Sequence, residues 1–172
     1  MFNLDVVTPA VPMKTRLGSF KVRYARIDRK EYICLSVGNI TKDAPIVRFQ
    51  SACVFAEAFH SLECDCSEQL TAAMKAIQAA GNGLVIYARD EEGRGAGLQA
   101  KIAGMYVEKT VDCNSYEAYT RLGFDKTDYR DYRGQMTILE RLHVAKCIHF
   151  IGNSDKRTAI ERAGFVIVGD ER

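Results

Sequence analysis

Along residues 18–27 (GSFKVRYARI) the apolar side chains Phe20, Val22 and Tyr24 alternate with Lys21, Arg23 and Arg26, and Ile27 closes the run. A period of about two marks a half-buried strand. Residues 32–37 (YICLSV) and 46–49 (IVRF) are further β-rich runs bounded by turn residues. Together they predict an antiparallel meander in the first third of the chain. The period then changes. In residues 67–80 (SEQLTAAMKAIQAA), Leu70, Ala73, Met74, Ile77 and Ala80 form a stripe at helical spacing, with Ser67 placed as N-cap and Gly81 as the stop. Residues 84–87 (LVIY) read as a buried strand, followed by a glycine-rich loop, 90-DEEGRGAG-97, and a helix over about 98–108. Residues 145–151 read as a strand, 155–163 as a helix and 165–168 as a strand. Strand–helix–strand units of this kind predict a partly parallel sheet. The expected fold class is mixed α/β (α+β): a β-rich antiparallel N-terminal part followed by an α/β C-terminal part, in a single domain over residues 1–172.

Composition narrows the function classes. The formal net charge is only +2, which argues against general nucleic-acid binding but leaves room for a local basic pocket. No run reaches the roughly 18 apolar residues of a membrane span. The opening, MFNLDVVTPAVPMKTRLG, has no basic segment followed by an apolar core, so no secretory leader is expected. A cytoplasmic location follows as the expectation, with thiols kept reduced. That makes a disulfide an unlikely use of the chain's six cysteines and turns attention to metal or catalysis.

Three of those cysteines lie close together in 51-SACVFAEAFHSLECDCSEQL-70, at Cys53, Cys64 and Cys66. Three protein ligands with a fourth position open is the pattern of a catalytic zinc site, whereas a structural site takes four. His60, inside the same segment, is a candidate fourth ligand. Cys64 and Cys66 sit just before the helix expected from Ser67, where the helix dipole and free N–H groups favour thiolate. The competing reading is that these are small buried apolar residues, which is how Cys34, Cys113 and Cys147 are read. Zinc at an open site lowers the pKa of bound water to about 7, so the metal reading predicts hydrolysis. The H-x-E and P-C-x-x-C pattern of the zinc nucleobase deaminases is absent.

The loop 91-EEGRGAG-97 joins carboxylate, arginine and flexible backbone. Glu92 suits the N1–H and N2–H donors of a guanine edge, and Arg94 a phosphate or carbonyl. A solvated surface turn is the plain alternative. Neither G-x-x-x-x-G-K nor G-x-G-x-x-G occurs. In 122-LGFDKTDYRDY-132, by default a solvated loop, Asp128 and Arg130 are two apart and share a side if the segment is extended.

Taken together, 48-RFQSAC-53, 59-FHSLECDCSEQL-70, 87-YARDEEGRGAGLQAKI-102, 114-NSYEAYTRLGF-124 and 128-DYRDY-132 resemble the GTP cyclohydrolase II family, the first enzyme of riboflavin synthesis. The likeness runs from about Gly18 to Val168. It implies that Cys53, Cys64 and Cys66 hold one zinc ion per chain. It places Arg48 and Ser51 in a nucleotide-binding loop, and Gln69 with Glu92, Gly93 and Arg94 on the substrate. Ser115 stands where the family has a binding threonine. Asp128 matches a proposed proton acceptor, and Arg130 an arginine proposed to attack the α-phosphate. Because an arginine pKa lies above about 12, phosphate electrostatics is at least as good a role for Arg130. The implied reaction opens the imidazole ring of GTP at C8, with Mg2+ on the triphosphate, and releases pyrophosphate and formate to leave a diaminopyrimidine ribosyl phosphate. The family also implies a homodimer.

Departures from the family pattern bear on the product. The position four residues after Lys101, where the family has a tyrosine near the zinc, is Met105, with Tyr106 beside it. Within a helix, one inserted residue turns later side chains by about 100°, which favours Met105 as the aligned residue. A thioether relays no proton, so an enzyme that stops at the formamide is the resulting alternative. Gln50 and Ala52 stand in R-F-Q-S-A-C where the family has R-V-H-S-E-C. Near the C-terminus, 152-GNSDKR-157 replaces T-N-N-P-x-K, so Gly152 lacks a hydroxyl and Arg157 replaces a lysine. The sequence stops at Arg172, short of the family's usual tail. A paralogue acting on another purine nucleotide in a specialised pathway, and an inactive nucleotide-binding protein, complete the alternatives.

Overall fold

The computed structural model describes residues 5–169. Its strands β1 (Val6–Val7), β2 (Val11–Thr15), β3 (Gly18–Ile27) and β4 (Lys30–Val37) are antiparallel, with β1 and β2 both paired to β3. The β3–β4 connection is the two-residue turn Asp28–Arg29, both left-handed at φ 49° and 68°. That geometry matches the right-handed twist of the flanking strands. Next come β5 (Ile46–Ser51), the short helix α1 (Val54–Phe59), α2 (Cys66–Ala80) and β6 (Gly83–Ala88). A 3-10 segment, Arg89–Gly95, leads into α3 (Leu98–Val111), α4 (Ser115–Arg121) and α5 (Arg133–Arg141). The described chain ends with β7 (Cys147–Ile151), α6 (Ser154–Arg162) and β8 (Val166–Ile167). The mixed α/β class, antiparallel first and α/β afterwards, is what the alternation of periods predicted.

One sheet carries all of these strands, in the order β1-β3-β4-β6-β5-β7-β8, with β2 on β3. The expected meander ends at β4. Strand β5 leaves it, and lies parallel between β6 and β7, while β4 takes β6 as its antiparallel neighbour. Alternation identified β5 as a strand, but the α2 crossover, which returns the chain in the same direction, sets its partner.

The two faces of β5 and β6 are divided by period. Val47 and Phe49 of β5, with Leu84, Ile86 and Ala88 of β6, pack with Ile138 and Leu139 of α5 and Ile160 of α6. Ile46 and Val85 point the other way, onto Met74 and Ile77 of α2. Strand β5 also aims Arg48 and Gln50 at the α2 face, and both are buried. Close approach on the other face depends on Gly134 of α5, where an added Cβ would sit 2.0 Å from the Tyr32 hydroxyl.

Three helix boundaries moved for physical reasons. Helix α2 starts at Cys66, with Asp65 as N-cap, because the Gln69 N–H already bonds the Asp65 carbonyl at 2.9 Å. Ser67 therefore lies inside the first turn. Helix α3 runs on to Val111, where left-handed Asp112 stops it. Helix α6 spans Ser154–Arg162, capped by the Asn153 side chain. The sequence reading did not anticipate the helices α1, α4 and α5 or the strands β1 and β2, although Gly134, Gln135, Ile138 and Leu139 of α5 are buried at helical spacing. Of the three cysteines read as buried, Cys34 is buried, Cys113 is half-buried and Cys147 is exposed; Cys147 is the first residue of β7 and lies on the face opposite Ile148 and Phe150, which face the core.

Candidate active site

The parallel strands β5, β6 and β7 end on the same edge of the sheet, β5 and β6 level at Ser51 and Ala88 and β7 at Ile151, opposite Arg48. The segments that follow carry the sequence-predicted site: Ala52–Cys53 after β5, the Glu92-Gly93-Arg94 turn after β6, and Gly152 after β7. Ligand crevices in parallel sheets form at such carboxyl ends.

The three thiols meet there. The Sγ atoms of Cys53, Cys64 and Cys66 lie within 4.8 Å of one another, and Cys53 and Cys64 approach to 3.5 Å. Among the described residues this group contains no fourth ligand, so His60, exposed at the C-cap of α1, stands outside it. Cys53 precedes α1 and Cys66 opens α2, so two helix starts face the cluster. Burial pushes the Cys53 thiol up, but hydrogen bonds from Lys101 Nζ, at 3.0 Å, and the Ala56 backbone bring it below its ordinary value. Burial and then the neighbouring Cys64 and Cys53 push Cys66 up. Three crowded thiolates coexist only around a cation, and soft sulfur ligands suit zinc. The donor set fits a metal held by Cys53, Cys64 and Cys66.

Beside the cluster opens a cavity of about 330 Å³. Cys53, Cys64 and Cys66, Glu92, Gly93, Arg94, Lys101, Met105, Ser115 and Arg130 all line it, with Phe55 and Tyr119 supplying aromatic wall. The E-G-R turn is strained into place: Gly93 and Arg94 are left-handed, at φ 58° each. Gly95, at φ 80°, lets the Tyr129–Arg130 backbone come within 3.2 Å of where a Cβ would be. The Tyr129 N–H then bonds the Arg94 carbonyl at 2.9 Å, tying the 128–130 segment to the turn. Glu92 accepts from Lys101 Nζ at 2.6 Å on one oxygen and from the Val54 N–H at 2.8 Å on the other. Burial pulls Lys101 down, but Glu92 and Cys53 push it up to about 12. Arg94 Nη2 donates to Ser115 Oγ at 2.6 Å, its guanidinium lies 3.8 Å over the Tyr116 ring, and its Nη1 is buried with no partner among the described residues. Met105 lines this cavity, whereas Tyr106 is 72% exposed.

A second cavity, of about 570 Å³, adjoins the first through Ser51, Cys66 and Arg130, which line both. Its charged walls are Arg48, Arg130 and Lys156, with Gln50, Gln69, Asn153 and Gly152 around them and no Asp or Glu. Arg48 Nη2 bonds Gln69 Oε1 at 2.7 Å and Gln50 Oε1 at 2.8 Å. Gln50 in turn donates to Glu57 and to the Cys66 carbonyl, so it braces the metal loop. Gly152 leaves room for Phe150, whose ring would lie 2.5 Å from a Cβ there. Asp128 and Arg130 do share a side, as a bidentate ion pair with contacts of 2.5–3.1 Å. Burial pulls Arg130 down, but Asp128 more than offsets it and holds the guanidinium firmly protonated. Asp128 is likewise held below its ordinary value against the effect of burial.

Two site residues escaped the sequence reading. Glu91, 4% exposed, accepts from Ser51 Oγ and from Gln135 Nε2, both at 2.5 Å. No pattern separated it from Glu92. Lys156 occupies the cavity wall, whereas its half-buried neighbour Arg157 is the residue the sequence reading placed on the substrate. Helical period held the signal: Lys156 and Ile160 are four apart and share the buried face.

Burial, then the Arg48 charge, lowers Lys156 to about 8 from 10.5. The folded protein thus binds fewer protons than the unfolded chain between those values, so this residue's destabilisation is complete below pH 8 and fades as pH rises to 10.5. Lys156→Met is expected to be more stable than the parent at pH 7 by about 1–3 kcal/mol. Denaturant melts should show the gap closing by pH 10.

The sequence agrees with this architecture in its relatives. The family model for GTP cyclohydrolase II matches residues 6–172. Proteins named GTP cyclohydrolase-2 are 38% identical in Haemophilus influenzae strain PittEE, over 98% of this chain and 78% of that protein. In Neisseria gonorrhoeae the figures are 34%, 91% and 79%. In Azotobacter vinelandii they are 39%, 80% and 65%, so this chain spans between about two thirds and four fifths of these relatives' lengths. A crystal structure of a two-domain 3,4-dihydroxy-2-butanone 4-phosphate synthase from A. baumannii shares the fold, at a TM-score of 0.52 and 14% identity, over 98% of this chain and 41% of that one. A mixed α/β sheet with three cysteines gathered at its strand ends accompanies that match. The chain belongs to the GTP cyclohydrolase II family.

Proposed function

We propose that this protein opens the imidazole ring of GTP hydrolytically at C8 and releases pyrophosphate. The observation that carries this is the junction of two cavities at Ser51, Cys66 and Arg130: one lined by the three thiols and aromatic rings, the other with cations as its only charged side chains. A purine nucleoside triphosphate has that same division. Zinc held by Cys53, Cys64 and Cys66 would activate water for attack on the ring carbon.

The chain's own groups do the rest. Each Glu92 oxygen spends one lone pair on Lys101 or Val54 and keeps another, so the carboxylate accepts the two N–H donors of the guanine edge. Arg94 Nη1 supplies a donor for a carbonyl or phosphate, with Gly93 keeping the backbone close and Ser115 fixing the guanidinium. Arg48, oriented by Gln69 and Gln50, and Arg130 hold the phosphates. Arg130 stays cationic under Asp128, so it stabilises charge on the departing pyrophosphate and is unsuited to nucleophilic attack. Both Asp128 oxygens are occupied by Arg130, so the same pairing limits Asp128 as a proton acceptor.

The family reaction continues to formate and a diaminopyrimidine ribosyl phosphate, as in riboflavin biosynthesis. A second endpoint is favoured here by Met105, which faces the thiols where a tyrosine would stand: the product keeps its formyl group. The proposal includes Mg2+ with the triphosphate, one zinc per chain, a homodimer and a cytoplasmic setting that keeps the thiols reduced. Among the described residues, no helix is long and apolar enough to cross a membrane. Incubating zinc-loaded protein with GTP and Mg2+ tests the reading. Purine absorbance should fall as pyrophosphate appears in equal amount. Zinc-bound protein that leaves GTP and other purine nucleotides untouched would instead be a binding protein.

A further inference from the structure

One side chain joins Glu92 to the thiol cluster. Lys101 lies early in α3, its N–H bonded to the Gly97 carbonyl at 3.1 Å. Its ammonium donates to Glu92 Oε1 at 2.6 Å and to Cys53 Sγ at 3.0 Å. The other Glu92 oxygen accepts from the N–H of Val54, the residue that follows Cys53. These contacts close a ring that runs from the Cys53 sulfur through the ammonium and the carboxylate to the backbone beside Cys53. The pair is shielded, with side-chain exposures of 19% and 13%, whereas Lys109 and Glu63, paired at the far end of the same helix, are at 62% and 56%. The Lys101 stem is seated as well. A Cβ added at left-handed Gly93 would lie 3.1 Å from Lys101 Cβ, so the E-G-R turn presses directly onto it.

We propose that Lys101 is a positioning residue that clamps the carboxylate of Glu92 to the metal site through Cys53. The inference rests on the metal and nucleotide readings above. Three thiolates around a divalent ion leave a net negative charge, and the Glu92 carboxylate stands beside them. Like charges at such range repel, and the ammonium between them attracts both. An exposed Lys–Glu pair contributes little. This one is shielded, and it divides its donors between an oxygen and a sulfur, so its loss releases both. Glu92 would keep the Val54 N–H alone. Hydrogen-bond partners of metal ligands orient and tune a site, and losing one typically costs about 10–100-fold in affinity or activity. Here the same partner also sets the distance between the sulfurs and the group that reads the guanine edge. A purine held by Glu92 is thereby kept at a fixed reach from the metal.

The test uses the full chain loaded with cobalt(II) in place of zinc, with GMP as the nucleotide probe. Lys101→Met should move the sulfur-to-cobalt charge-transfer band to longer wavelength, because a sulfur that loses an N–H donor holds its electrons less tightly. It should also weaken GMP binding, read by calorimetry, by at least about tenfold, since Glu92 loses a charge-assisted hydrogen bond. Lys101→Arg should restore part of both. Lys109→Met, which removes the exposed pair on the same helix, should leave both at the parent values. If Lys101→Met fails to fold, Lys101→Gln takes its place with the same directions expected. A band or a GMP affinity unchanged by loss of Lys101, or changed as much by Lys109→Met, overturns the inference. So does a parent protein whose cobalt spectrum carries no sulfur band, which sinks the metal reading with it. The nucleotide reading fails separately: a parent that shows the band but does not bind GMP sinks that reading, and a band shifted by Lys101→Met still upholds the link to Cys53.

Discussion

Cys64→Ala is expected to reduce bound zinc from about one ion per chain to near zero and to slow GTP consumption by at least about 1,000-fold. Cys64 is the informative choice among the three thiols. It is exposed, in the connection between α1 and α2, so truncating it removes a ligand and little packing. Cys53, 3% exposed, would confound metal loss with a packing defect. Metal analysis after gel filtration reads the first effect, and thermal melts of the metal-free parent and variant should coincide. His60→Ala should keep its zinc, because His60 stands outside the sulfur cluster. Full zinc content in Cys64→Ala would show that these thiols are not the site.

The second large effect concerns the product. Met105 follows Lys101 by one helical turn, so both face the cavity that holds the thiols, and Tyr106 is turned out to solvent. A phenol at position 105 would bring a proton donor and acceptor into that cavity. The parent enzyme is expected to release pyrophosphate with little formate, and Met105→Tyr to bring the formate-to-pyrophosphate ratio towards one. Enzymatic assays of both products on the same reaction give the ratio directly. Formate released in step with pyrophosphate by the parent protein would remove Met105 from this role.

Much of this was legible in the chain because period and motif agree. The stripe of Leu70, Met74 and Ile77 marked α2, and the alternation of Phe20, Val22 and Tyr24 marked β3. The spacing of Cys53, Cys64 and Cys66 predicted a shared site, and the fold brings their sulfurs together. What stayed hidden is non-local. Nothing in Ile46, Arg48 and Gln50 says that β5 pairs in parallel with β6 and β7, since that follows from the α2 crossover. Adjacent acids look alike in sequence, yet Glu91 is buried against Gln135 of α5, forty-four positions away, while Glu92 faces the cavity. Lys156 and Arg157 look interchangeable until the register of α6 is fixed by Asn153 and Ile160.

The most direct test of the central claim is the mass of the nucleotide formed from GTP by the zinc-loaded protein with Mg2+. Ring opening with pyrophosphate loss predicts the mass of GMP plus one water, with the formyl group retained, or that species less its formyl group if the second hydrolysis proceeds. A product with the mass of GMP or GDP, its purine ring intact, would contradict the account.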